Sequence, residues 1–362
     1  MPKIDQLLNF MVKSGASDLH LSSNSLPKLR IDGDMRSFTG DKSDALTSTQ
    51  VHGLLEEIVP DRNKKEFTDT SDTDFAYAID GVGRFRVNVF NDLNGTGAVF
   101  RYIPQKIMSM EDLNMPPVFK ELCALSKGLV LITGPTGSGK STTLAAMVDY
   151  VNKKRQDHIV TIEDPVEFVH QNNKCLINQR EVNTHTDSFQ KALRAALRQD
   201  PDIILVGELR DLETTEIAIE TAETGHLVFG TLHTSTAAST IDRIIDQFPV
   251  EGQAQIRTML ASSLKGVICQ NLLKKVDKGR VAAMEILVVN AAVANNIREG
   301  KTHQIPSAIQ TGKRLGMQLL NSHLIELVKE KVVGPEEAYL KAVDKDDIGA
   351  KLRSAGFTLQ FD

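Results

Sequence analysis

Two hydrophobic periods run along the chain, and the balance between them shifts near residue 104. In the first hundred residues Ile4, Leu7, Leu8 and Met11 recur at helical spacing, predicting a helix over residues 3–13. Strand patterns follow at LPKLRID (26–32), at FAYAI, where Phe75, Tyr77 and Ile79 alternate with smaller residues, and at RFRVNVF, where Phe85, Val87 and Val89 alternate with Arg84, Arg86 and Asn88. The intervening Asp80-Gly81-Val82-Gly83 predicts a hairpin turn. These signals make residues 1–103 a small mixed α/β domain. Pro104, Pro116 and Pro117 then bracket a stretch, 104–118, that reads as a linker around a short helix.

From about residue 120 strand and helix patterns take turns. GLVLIT precedes a helix carrying Leu144, Met147, Val148 and Val151 on one side. HIVTI comes next, then a helix from about Ser188 with Phe189, Leu193, Ala196 and Leu197 on one face. DIILV leads to a helix that closes at Gly225, and HLVFGTL leads to one carrying Ala237, Ile241, Ile244, Ile245 and Phe248. Such repetition predicts an α/β domain over 119–362, a mostly parallel sheet with helices on both faces. Its last 70 residues read as a helical appendix.

The polar residues that end these strands change the picture from fold to chemistry. Gly134, Pro135, Thr136, Gly137, Ser138, Gly139, Lys140 and Ser141, followed by Thr142, satisfy GxxxxGK[ST] between a strand and a helix. Glycines let backbone N–H groups turn toward phosphates, and the helix N-terminus adds its positive end. Lys140 suits the β- and γ-phosphates of ATP, and the Ser141 hydroxyl suits Mg²⁺. Glu163 and Asp164 follow HIVTI, Glu208 follows DIILV, and His233 follows HLVFGTL. Ligands of open parallel sheets bind at the carboxyl ends of the strands, so these groups are expected to converge.

Glu208 is assigned to orienting the attacking water, one step beyond the position that usually serves the metal through water. Glu163 is a candidate for the magnesium shell or a second proton relay, whereas Glu167 in the same IEDPVEF stretch stays open between a site and a turn. His233 is assigned as a γ-phosphate contact, and His226, before the same strand, as a further nucleotide contact.

Composition narrows the class. With 362 residues, two domains are expected, and 41% hydrophobic with 25% charged residues is an ordinary globular balance. A formal net charge of -5 gives no overall attraction to nucleic acid, and none is expected as a partner. The start lacks a secretory pattern and the apolar runs are too short for a bilayer, so a cytoplasmic chain is expected. Three scattered cysteines, Cys123, Cys175 and Cys269, make neither a zinc pair nor a disulfide framework and read as buried thiols.

In combination GPTGSGKSTT, TIEDPVEF, DPDIILVGELRD and TGHLVFGTLHTSTAASTIDRIIDQFP resemble the type II/IV secretion ATPase superfamily. GASDLHL, IDGVGRFRVNVF and GKTHQIPSAIQTGKRLGMQ are similar to its PilT-type pilus-retraction branch. The resemblance implies a PAS-like N-terminal domain, a RecA-like ATPase domain and a homohexameric ring hydrolysing ATP with Mg²⁺. It implies a peripheral position at the cytoplasmic face of the inner membrane, a pilus platform protein as partner, and pilin as an indirect one. It also implies that Arg86 and Arg101 reach nucleotide at a subunit boundary. One departure stands out: AVANNIRE at 292–299 has Ala294 and Asn296 where the branch carries arginine and leucine in AIRNLIRE. An accessory retraction paralogue is therefore one alternative. An assembly or secretion motor is another, disfavoured by the missing tetracysteine segment, and a nucleic-acid translocase is a third.

Overall fold

A computed structural model describes residues 2–31, 33–38, 45–103 and 106–359. The chain divides into two compact units, Met1–Lys106 and Ile107–Asp362. The division falls inside the expected linker. Pro104 lies outside the described residues, but residues 107–118 pack with the second unit, where Met110, Val118 and Phe119 are buried among Leu122, Ile132 and Met147. Apolar residues between the prolines thus contribute to the second unit's core.

In the first unit the order is α1 (Ile4–Lys13), β1 (Asp18–Ser22), β2 (Lys28–Ile31), β3 (Asp34–Ser37), α2 (Ser48–Glu56), α3 (Asp61–Thr70), β4 (Asp72–Ile79), β5 (Gly83–Asp92) and β6 (Gly95–Ile103). Among the described residues six strands form one antiparallel sheet in the order β3-β2-β1-β6-β5-β4. Period-2 patterning sets its faces. Phe85, Val87 and Val89 are buried with Leu19, Leu21 and Phe100, against Ile4, Leu8 and Met11 of α1. The intervening residues of β5 point the other way, leaving Arg86 exposed.

The second unit runs α4 (Val118–Cys123), β7 (Gly128–Thr133), α5 (Lys140–Lys154), β8 (His158–Glu163), β9 (Leu176–Glu181), α6 (Phe189–Ala196), β10 (Ile203–Val206), α7 (Leu212–Glu223), β11 (Leu227–Leu232), α8 (Ala237–Ile245), α9 (Val250–Ser263), β12 (Leu264–Lys274), β13 (Arg280–Val288), α10 (Ala291–Arg298), α11 (Ile305–Thr311), α12 (Leu320–Lys329), α13 (Pro335–Lys341) and α14 (Lys345–Ser354). Its sheet order is β13-β12-β7-β11-β10-β8-β9. Every pairing is parallel except β12–β13. Strands buried on both faces read as continuous apolar runs, and β7, β10 and β11 are buried at every residue. Separate apolar clusters cover the two faces, while α12–α14 form a third cluster with Leu273 and Ala283 of the β12–β13 pair.

All three cysteines are free and buried, and burial pushes the thiols of Cys123 and Cys269 up to about 12, which makes them inert packing groups. No helix among the described residues is long and apolar enough to cross a membrane.

Because the first unit has its own core, Phe85→Ala should cost it about 3–5 kcal/mol. Limited proteolysis should then cut within residues 1–106 while the second unit stays protected. Loss of protection in both together would contradict separate cores.

Candidate active site

Parallel pairing puts the carboxyl ends of β7, β8, β10 and β11 on one edge of the sheet. The phosphate loop leaves β7 there and enters α5 through Gly139, whose φ of 90° is a left-handed conformation that glycine adopts without strain. Gly134 is required for a different reason: a Cβ at that position would stand 2.2 Å from the Gln270 carbonyl oxygen on β12. The Lys140 ammonium donates to the carbonyls of Gly134 (2.8 Å) and Pro135 (3.2 Å). Its pKa is lowered by burial, and the carboxylates of Glu208 and Glu167 pull it back up. Both acids are thus electrostatic neighbours of the lysine. Glu167, left open by sequence, faces the same charge.

The segment after β10 is pinned on both sides. Gly207 N–H donates to Ile162 on β8 at 2.7 Å, Leu209 N–H donates to Thr231 on β11 at 3.0 Å, and Thr231 Oγ1 donates to the Gly207 carbonyl. Leu209 fills the core at 2% exposure, which turns Glu208 out over the edge. One Glu208 oxygen meets His233 Nε2 at 3.0 Å and the other meets Arg210 Nε at 2.8 Å. The loop holding His233 is tied down through Thr236, which caps α8 in a reciprocal capping box, and through Ala237 N–H, which donates to buried Glu285 at 2.8 Å. Burial pushes the Glu285 carboxyl above its ordinary range.

Glu163 lies beside this group at the end of β8. Its Oε1 accepts from Thr161 Oγ1 at 2.7 Å and Gln179 Nε2 at 3.2 Å. Burial raises its pKa above the ordinary 4.5; the two donors and the backbone of Glu167 oppose the rise, and the Glu167 charge adds a smaller push upward.

Lys140, Glu208, Glu163 and His233 therefore share one edge, as the strand ends imply. His226 does not join them. It precedes the first residue of β11, its carbonyl accepts from Gly128 N–H at the start of β7, and its Nδ1 is 3.2 Å from the Thr221 carbonyl. The length of a parallel strand separates it from the phosphate loop after β7. In the first unit Arg86 and Arg101 are direct cross-strand partners on the exposed face. Arg101 Nε is 2.8 Å from Asp18, and Arg86 Nε is 3.7 Å from Asp74, so flanking acids offset two like charges placed side by side. Sequence reasoning missed Arg210, although its place in GELRD was a signal, and missed Gln270 on an unpredicted strand.

For magnesium, the Ser141 hydroxyl sits in the first turn of α5 beside the loop. No cluster of three or more His, Cys, Asp or Glu among the described residues could cage a metal ion. A single hydroxyl at that place fits an ion held mainly by phosphates and water, as Mg²⁺ prefers.

A parallel sheet, a phosphate loop opening a helix and an acid-histidine pair at the same edge define a P-loop ATPase. Residues 1–341 match the family described as type II/IV secretion system protein, and the chain belongs to that family. It is 55% identical to the type IV pilus retraction ATPase PilT of Pseudomonas aeruginosa, over 94% of this chain and 98% of that one. It is 49% identical to a twitching motility protein of Neisseria gonorrhoeae, over 89% and 86% of the two chains. A crystal structure of the pilus retraction motor PilT with bound ADP superposes with a TM-score of 0.90 at 43% identity, covering 96% of this chain and 99% of that one.

The raised Glu163 pKa has a signed consequence. Because the folded value is the higher, the protonated carboxyl favours folding, fully below the unfolded-chain value and progressively less as pH rises through the folded value. Glutamine at 163 mimics the protonated form. Glu163→Gln should therefore match the parent in acid below the ordinary carboxyl value of 4.5, gain thermal stability over it progressively as pH rises through the folded value, and keep that gain above it, read by melting temperature at each pH. A gain confined to acid would contradict the assignment.

Proposed function

We propose that this chain is the ATP-driven motor of type IV pilus retraction, and so of twitching motility. It works as a homohexameric ring at the cytoplasmic face of the inner membrane on a pilus platform protein, with pilin as the indirect cargo. The observation that carries the ATPase chemistry is the meeting of Glu208 and His233 at 3.0 Å on the edge that holds the phosphate loop. Kinship with pilus-retraction ATPases over nearly the whole chain supports the pilus part.

ATP is held by the loop amides of 134–142 and by Lys140, which exchanges two carbonyl partners for phosphate oxygens. Mg²⁺, held by Ser141 and the phosphates, would neutralise developing charge when bound. Glu208 orients the attacking water, and Arg210 keeps its second oxygen turned aside. His233, bonded to Glu208, contacts the γ-phosphate and loses that contact on cleavage. Glu163, held by Thr161 and Gln179, serves the same edge as a second carboxyl. A neighbouring subunit's Arg86 and Arg101 complete the site, exchanging Asp74 and Asp18 for phosphate.

A second reading, an accessory retraction motor, is favoured by α10. Ala294 packs half-buried against the core and Asn296 is only half-exposed, where the retraction branch carries arginine and leucine.

Glu208→Gln should bind ATP like the parent and lose about 10²–10⁴-fold in turnover, measured by phosphate release beside nucleotide binding. Retained turnover would overturn the assignment. Arg86→Ala and Arg101→Ala should each cost about 10³-fold in turnover with ring assembly intact, and normal rates would exclude a boundary site. In cells lacking the protein, pili should accumulate and stay immobile, with wild type but not Glu208→Gln restoring twitching. Loss of pili would point instead to assembly.

A further inference from the structure

The phosphate loop has a brace that its own motif does not supply. β12 pairs with β7 as far as Cys269↔Thr133, so the next residue, Gln270, stands beside the start of the loop. Its side chain is 2% exposed and makes two hydrogen bonds. Nε2 donates to the Ser138 carbonyl at 2.7 Å, and Oε1 accepts from the buried hydroxyl of Thr143 in α5 at 2.9 Å. One carboxamide thus ties the loop to the helix it opens.

What this does to the loop follows from peptide geometry. The peptide bond is planar and trans, so its C=O and N–H point in opposite directions. Fixing the Ser138 carbonyl on Gln270 fixes the Gly139 N–H on the other side of the same plane. Gly139 is left-handed, with the widest choice of backbone conformation of any residue type, and is where an unbraced loop would lose its aim. A buried carboxamide is costly unless both of its ends are paired, which is the case here.

We propose that Gln270 is a positioning residue for the phosphate loop, holding the 138–139 peptide in the orientation that presents the Gly139 N–H to nucleotide phosphates. The proposal rests on the nucleotide-site reading above and adds a residue from outside the motif. It makes β12 part of the site's frame, although none of its side chains is assigned to touch nucleotide.

The test compares wild type with Gln270→Met, which keeps the volume and removes both bonds, and Gln270→Glu, which keeps an acceptor for Thr143 but loses the donor to Ser138. Affinity for ADP is measured by fluorescence titration, thermal midpoint without nucleotide by calorimetry, and amide exchange across 134–143 by mass spectrometry. ADP affinity should fall about tenfold or more in both variants. Loop amides should exchange faster while the sheet stays protected, and the midpoint should fall only modestly, because each variant leaves buried polar groups without a partner. ADP affinity within about twofold of wild type in both variants overturns the proposal. So does a loss that comes with a large fall in midpoint and faster exchange throughout the sheet in both, which marks a general packing role. Failure of wild type itself to bind ADP would instead overturn the underlying nucleotide-site reading.

Discussion

Parallel pairing of β7, β11, β10 and β8 is the constraint on which the rest depends. Four carboxyl ends arrive at one edge because each strand runs the same way and each return passes through a helix. Lys140, Glu163, Glu208 and His233 come from segments far apart in sequence, and no local interaction would gather them. Burial of the strands on both faces makes that gathering stiff. A change of register would move apolar runs such as Ile203–Val206 relative to both neighbours at once.

On this edge the polar groups hold one another. Glu208 lies between His233 and Arg210, Lys140 is bonded to two loop carbonyls, and Glu163 is held by Thr161 and Gln179. In the proposed mechanism ATP binding would proceed by exchange of these partners, which would limit the desolvation cost of bringing phosphate to the edge. Arg86 and Arg101 are likewise paired, with Asp74 and Asp18, on the exposed face of the first unit's sheet.

Much of this was legible in the sequence. The four apolar runs, their polar ends and the alternation in β5 follow from period and from glycine placement. The rest was hidden for identifiable reasons. β9, LINQRE, lies at the sheet edge with few apolar residues, so it shows no strand period. β12 begins at Leu264 directly after α9 ends at Ser263, without a turn signal between them, and Gln270 interrupts its apolar run for the reason that makes it interesting. Residues 107–118 looked like a linker because their prolines were visible and the core that receives Met110 and Phe119 was not. His226 and His233 flank opposite ends of β11, a separation that their shared motif does not make visible.

The central claim is that Lys140, Glu208 and His233 act on one terminal phosphate. A high-resolution structure of the chain with Mg²⁺ and a non-hydrolysable ATP analogue tests it most directly. The account predicts that the Lys140 ammonium leaves the Gly134 and Pro135 carbonyls for β- and γ-phosphate oxygens. It also predicts His233 at hydrogen-bonding distance from the γ-phosphate and an in-line water on Glu208. Analogue bound with Glu208 and His233 turned away from its terminal phosphate would contradict it.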